Sequence, residues 1–184
     1  MLNNTQKIYE YLIIRAGFLA ADSTKTEIKR LYNDVEENFD EYASFFQQIG
    51  FRLESGNGYF YFSTVHENKL DIERRLESFC KWIDYLDFLK TFDSTFSVGY
   101  IFNKAQIENE IDVNADLKDK ARRIFSQQKS FPEKVDKLIG ELESMGFAEL
   151  IEEETATYKI TSAYRYAEDL INLLTIHNED EITE

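Results

Sequence analysis

Apolar residues recur along this chain at two spacings, three-to-four and two, and the order in which the spacings alternate is the same in both halves. In the C-terminal half, Val135, Leu138, Leu142 and Met145 recur at helical spacing. Ser130 and Glu133 before them form a capping box, Pro132 suits the first turn, and Gly146 stands where a left-handed residue would end the helix. Two strand-like runs follow, 147–151 and 158–160, joined by polar residues 152–157, and Thr161 opens a last helix. Helix, hairpin and helix form the back half of a winged-helix domain. A lone hairpin cannot bury its own face, so it needs the preceding helix.

The N-terminal half repeats the order. Residues 5–19 read as a helix with Ile8, Leu12, Ile14 and Phe18 facing inward, and Thr24 with Glu27 makes a second capping box. Ile28, Leu31, Tyr32 and Val35 carry the next stripe. A third helix, 39–49, has Tyr42, Phe45, Phe46 and Ile49 apolar and stops at Gly50. Phe51 and Leu53 begin a strand, Ser55-Gly56-Asn57-Gly58 is a tight-turn sequence, and 59–62 returns. Both halves place an apolar-Gly-Phe phrase at the join of helix and wing: Ile49-Gly50-Phe51 and Met145-Gly146-Phe147. The expected fold is mainly α with small β-hairpins, an α+β arrangement of tandem winged-helix domains, one over 1–69 and one over 70–184.

Between the halves, 66–69 is a polar joint and 70–92 the longest helix. Its main stripe is Ile72, Leu76, Phe79, Ile83 and Leu86, widened by Trp82, Tyr85, Phe88 and Leu89. A helix apolar on more than one side belongs between domains or at a subunit interface. Residues 96–102 alternate as a strand, Asn103 and Gln106 can cap a short helix with Ile107 and Ile111 inward, and 115–125 is a further helical run.

Composition narrows the possibilities. One proline and seven glycines in 184 residues argue against a loop-rich or disordered chain. A single cysteine, Cys80, excludes an internal disulfide framework and fits a reducing cytosol, where mid-helix it reads as a small buried hydrophobe. No signal peptide and no run of about 18 apolar residues is present, so no membrane contact is expected. The net charge of -14 is uneven: residues 147–184 hold ten acids and two bases. Such a field repels phosphate and favours a basic partner, or is equally well only a solubilising surface.

Candidate chemistry is sparse. His66 and His177 lack ligand partners at useful spacing, no phosphate-cradling glycine loop or nucleophile elbow occurs, and no catalytic residue, metal or cofactor is implied. A groove-reading helix needs Arg, Lys, Asn or Gln, yet from Leu31 to Gly50 there are five acids and no base. The aromatic group Phe39, Tyr42, Phe45 and Phe46 beside those acids points instead to a protein-binding or dimer surface, as do Trp82, Tyr85 and Phe88 on the long helix. Of these candidates and their neighbours, Phe45 and Phe79 are the first expected to be core instead. A basic run, Lys118, Lys120, Arg122, Arg123, Lys129, Lys134 and Lys137, could contact backbone phosphates without reading sequence, or be an ordinary solvated face.

These phrases resemble a known family. The opening Tyr9-Glu10-Tyr11-Leu12, the segment Ile49-Gly50-Phe51-Arg52-Leu53 with Gly58-Tyr59-Phe60, and the long helix with Phe79, Trp82, Leu86 and Leu89 are three of the matching features. The closing Leu142-Glu143-Ser144-Met145-Gly146-Phe147 with Tyr158-Lys159-Ile160-Thr161 is the fourth. Over roughly 9–174 the chain is similar to the MukE/MksE-type subunits of bacterial SMC-like condensins and the related small subunit of Wadjet-type plasmid-defence systems. The resemblance implies a protein without chemistry of its own, cytoplasmic and nucleoid-associated. It would homodimerise through the N-terminal winged-helix domain and bind a kleisin subunit that bridges the heads of an SMC-type ATPase. Chromosome organisation and segregation, or plasmid restriction, would be the setting, with a weak DNA contact placed on the basic run by its charge. The other readings are a winged-helix transcription regulator and an adaptor of another protein complex.

Overall fold

The computed structural model describes residues 3–14, 17–65 and 69–170; within the last span the side chains at 71, 72, 74, 75 and 79 are not described. The joint at 66–68 with His66, the Ile72 and Phe79 stripe positions, and everything beyond Leu170, including His177, therefore lie outside the described residues. The elements run α1 (Thr5–Tyr9, continued by a π-turn at Glu10–Ile14), β1 (Leu19–Ala20), α2 (Thr26–Glu37), α3 (Phe39–Gln48), β2 (Phe51–Gly56) and β3 (Tyr59–Thr64). They continue with α4 (Lys69–Phe92), β4 (Ile101–Asn103), α5 (Lys104–Val113), α6 (Ala115–Arg123), α7 (Phe131–Met145), β5 (Ala148–Glu152), β6 (Thr157–Ile160) and a 3-10 turn at Ser162–Tyr164.

Two antiparallel three-stranded sheets have the same order, β1-β3-β2 and β4-β6-β5. In each, a hairpin of the last two strands is joined by a short earlier strand, the winged-helix arrangement. Helices α1 to α3 cover the first sheet and α4 to α7 the second, so the fold is mostly helical with small sheets. The local signals that hold are those fixed within a few residues. Ser130 accepts from the Glu133 amide and Glu133 reaches back to Ser130, with Pro132 in the first turn, and Asn103 with Gln106 does the same for α5. Gly146 ends α7 at φ 79°, and there a Cβ would also stand 3.0 Å from the Phe18 carbonyl, so both conformation and close approach demand glycine.

Other expectations are corrected. The first helix is described to Ile14, which is exposed, and Gly17 and Phe18 are no longer helical; Phe18 is buried, but it leads into β1, a strand too short for a periodicity signal. The Thr24–Glu27 capping box does not form: α2 begins at Thr26, and the Thr24 amide and hydroxyl donate to Glu149 instead, at 2.6 and 2.7 Å. Only Ile101–Asn103 of the 96–102 run is strand, with Phe96 buried in the preceding turn. Helix α6 ends at Arg123, and Phe125, at φ 47°, turns to stack on Tyr85 at 4.8 Å. Thr161 does not cap the last helix through its side chain; its hydroxyl donates to the Gly146 carbonyl. Cys80 is exposed rather than buried.

Two hydrophobic clusters fill the molecule. One gathers Ile8, Leu12, Leu31, Val35, Tyr42 and Phe46 under the first sheet. The other is built on Trp82, Phe88, Leu89, Leu138, Leu142 and Phe147, and it draws in Phe18, Ala20 and Tyr59 from the first half of the chain. Phe18 meets Tyr59, Tyr61, Phe147 and Tyr166 at centroid distances of 5.8, 5.3, 5.1 and 4.8 Å. Around it, backbone and side-chain hydrogen bonds cross between the halves. The Phe18 amide donates to the Met145 carbonyl, Ser162 and Arg165 donate to the β2–β3 turn carbonyls of Gly58 and Asn57, and the Ser162 amide donates to Asp22. Buried Glu149 takes Ser23 and Thr24 together at the entry to α2, where a carboxylate meets the positive end of the helix.

Two outcomes follow for this joint. Phe18→Ala removes a buried ring with four aromatic neighbours and is expected to cost about 3–5 kcal/mol in denaturant unfolding. Burial pulls the Asp22 carboxyl up, but the Ser162 amide and hydroxyl and the Lys159 ammonium outweigh it and leave its pKa lowered. The group therefore stabilises the fold above its unfolded pKa of about 4 and loses that contribution as pH falls through the lower folded value. Asp22→Asn is expected to lower the neutral-pH melting temperature and to flatten its fall on the acid side, read by circular dichroism from pH 7 to 2.

Candidate interaction surfaces

The aromatic candidates divide by helix geometry. On α3, Tyr42 and Phe46 lie four residues apart on the core side, stacked at 6.2 Å, and both are fully buried. The Tyr42 hydroxyl donates to Asp34 at 2.6 Å, and burial followed by that carboxylate pushes its pKa up to about 12. Trp82, Tyr85 and Phe88 are likewise buried, on the α4 face turned to β5 and α6: Trp82 packs edge-on against Phe147 at 5.0 Å. These five side chains are core, because the first sheet and α6–β5 need bulky partners at those positions. Phe39 is half-buried against Phe60, whereas Phe45, an interface candidate named as one of the first to be lost to the core, is 40% exposed. Ile49, one of the apolar positions of the expected helix, is exposed one turn beyond Phe45. A single turn of α3 thus leaves Phe45 and Ile49 at the surface, beside Glu41, Gln47 and Gln48.

The long helix reverses the expected order of its faces. The side chains that widen the stripe are the buried ones, and of the main stripe Leu76 is 59% and Ile83 36% exposed, with Leu86 buried. Trp82, Tyr85 and Phe88 in the core each carry more apolar surface than the exposed Leu76 and Ile83.

The basic run is mostly consumed inside the chain. Lys134 is buried, and its ammonium donates to the Arg122 and Ile124 carbonyls at 3.1 and 2.6 Å, closing the C-terminal end of α6; burial lowers its pKa. It cannot contact a phosphate, which corrects its assignment to a nucleic-acid patch. Lys120 pairs with Asp87 and Asp116, chiefly by its hydrogen bond to Asp87 at 2.9 Å, which raises its pKa. Lys118 lies near Asp112 and over the Phe131 ring, Arg122 bonds Asp119, and Lys137 lies near Glu141. Arg123 and Lys129 are exposed, and among the described residues no carboxylate pairs with either. The spacing of the run gave no sign of Lys134's burial; its place on the Val135–Leu138 side of α7 could have.

Neither helix before a wing is arranged to read bases. Helix α3 carries Asp40 and Glu41 in its first turn and no base. On α7, Lys134 is buried and Asp136 is taken by Lys104 at 2.5 Å. The second wing shows exposed Leu150 and Ile151 followed by Glu152, Glu153 and Glu154. Among the described residues no group of three or more His, Cys, Asp or Glu side chains could hold a metal ion, and no helix is long and apolar enough to cross a membrane.

Lys134→Ala is expected to destabilise the fold by about 1–3 kcal/mol, since two buried carbonyls lose their donor, while Arg123→Ala stays within about 0.5 kcal/mol. Urea unfolding of the two variants checks the difference. Comparison with known proteins places this architecture. The model of the family described as condensin complex protein MksE matches residues 3–171, and the chain belongs to that family. No curated protein matches the chain.

Proposed function

Proceeding from membership of the MksE family, we propose that the protein is a non-enzymatic scaffold subunit of a bacterial condensin-like SMC complex. It pairs with a second copy, binds a kleisin-type subunit and through it an SMC-type ATPase, in chromosome organisation and segregation or in plasmid restriction. We divide it into an N-terminal winged-helix domain over 1–69, used for dimerisation, and a C-terminal one over 70–184, in the cytoplasm at the nucleoid.

The family match along nearly the whole chain carries this reading. The structure supports it by where it spends its polar groups. Many carboxylates and lysines pair with one another or close helix ends, and apolar side chains stay exposed at several places: Phe45 and Ile49 on α3, Leu76 and Ile83 on α4, Leu150 and Ile151 on the wing. Surfaces of that kind bind proteins through a few buried anchors. The dimer contact is carried by Phe45 and Ile49 with the rim of Phe39, since Tyr42 and Phe46 are inside. Arg123 and Lys129, with Arg122 beside them, offer a weak phosphate contact that carries no sequence information.

Light scattering tests the first part: the protein alone should have twice the 21.7 kDa chain mass, and Phe45→Glu with Ile49→Glu should return the monomer. Mixed with the kleisin-type subunit of its own host, the wild type should form a stable larger complex. Binding to a fluorescent duplex should be weak and non-specific, and Arg123→Ala with Lys129→Ala should reduce the slope of log affinity against log salt by about 2. A tight, sequence-specific shift at physiological salt, with no kleisin complex, would favour a winged-helix regulator.

A further inference from the structure

The outer face of α4 has the form of a docking seam. Leu76, Cys80 and Ile83 stand at steps of four and three, all exposed, on the side of the helix opposite Trp82, Tyr85, Phe88 and Leu89. Among the described residues the second core is closed without this stripe. At its C-terminal end the stripe runs into a groove of about 770 Å³, floored by Ile83 and Leu86 and bounded by Asp87, Glu168 and Asp169 together with Lys90 and Arg165. From Leu76 to Lys90 the seam spans four turns, about 21 Å at 1.5 Å per residue.

Charge selects the occupant. Glu73, Glu77, Asp84 and Asp87 line the stripe at helical spacing. The described cations close to this face have partners: Lys69 lies 3.9 Å from Glu73, Lys120 2.9 Å from Asp87 and Lys90 3.4 Å from Glu168, Lys81 pairs with Glu141, and Arg165 donates to the Asn57 carbonyl; Arg74 and Arg75 are among the side chains not described. Among the described residues no cation pairs with Glu77, Asp84 or Asp169. A second copy laid antiparallel about the middle of the stripe would set the Glu77 edge against its own Asp84 edge, like charge on like. Phosphate is repelled for the same reason. An amphipathic helix with cationic flanks satisfies both the apolar floor and the acidic rim.

We propose that the outer face of α4, with the groove at its end, docks a helical segment of the kleisin-type partner that carries apolar residues at i, i+3 or i+4 and i+7 and Lys or Arg beside them. The identity of the partner rests on the scaffold reading; the chemistry of the segment rests on α4.

The test titrates the host's kleisin-type subunit, by calorimetry, into the wild type and into three double variants. Leu76→Lys with Ile83→Lys should weaken binding at least 100-fold, and Glu77→Lys with Asp84→Lys at least 10-fold. Ile101→Lys with Val113→Lys, exposed on β4 and at the end of α5, should bind as tightly as the wild type. Circular dichroism melting confirms that each variant folds. Independently of any variant, hydrogen exchange on the wild type should show residues 76–87 protected when the kleisin is added. If the wild type does not bind the kleisin, the scaffold reading falls. If it binds but Leu76→Lys with Ile83→Lys binds equally well and 76–87 gains no protection, the docking proposal alone falls. If that variant instead turns a dimer into a monomer with no kleisin present, the face belongs to a second copy and the proposal is overturned.

Discussion

Phe18 sits where the two sheets must meet, and most of the architecture answers to its ring. It leaves the first winged unit at β1, enters an aromatic group made by Tyr59 and Tyr61 on one side and Phe147 and Tyr166 on the other, and is almost fully buried there. Because these partners come from β3, the turn between α7 and β5 and the C-terminal helical residues, the ring can be covered only when both halves are folded and docked. The close approach of its carbonyl to Gly146 explains why the α7 terminus tolerates no side chain at that point. Each aromatic pair adds about 0.5–1.5 kcal/mol beyond area burial, which favours a fixed joint over two domains on a hinge.

Polar groups reinforce the joint in a way that also shapes the surface. Glu149 satisfies Ser23 and the entry to α2, and Asp22 satisfies Ser162 and Lys159. Lys134 closes α6 and Lys120 ties α6 to α4. A charge used to settle a helix end or an inter-element pair is no longer available to a phosphate. The positive potential suggested by seven bases in twenty residues is therefore much reduced, and the wing stays acidic. A duplex-reading winged helix keeps its reading helix free; here the helices before both wings are acidic, buried or paired.

The long helix shows how a fold apportions its apolar surface. Both sides of α4 are hydrophobic, and only one can face the second core. The aromatic side does so against Phe147 and Phe125, and Leu76 and Ile83 on the other side stay exposed among the described residues. An exposed stripe beside unpaired carboxylates is unfavourable for an isolated soluble protein and favourable for a subunit.

Much of this was legible in the residues themselves. Capping boxes at Ser130 and Asn103, the stop at Gly146, the stripes of α2 and α7 and the two wings follow from interactions that span four residues or fewer, and the repeated order of elements with its apolar-Gly-Phe phrase led to the fold and to the family. What stayed hidden depends on contacts far apart in the chain. Thr24 reads as a helix cap until Glu149, 125 residues away, takes its amide. Lys134 reads as a surface cation until α6 ends above it, and Phe45 and Phe46 are indistinguishable neighbours until α3 meets its sheet. Periodicity gives the faces of a helix, but which face is buried is set by competition between faces for one core, and that competition exists only in the packed structure.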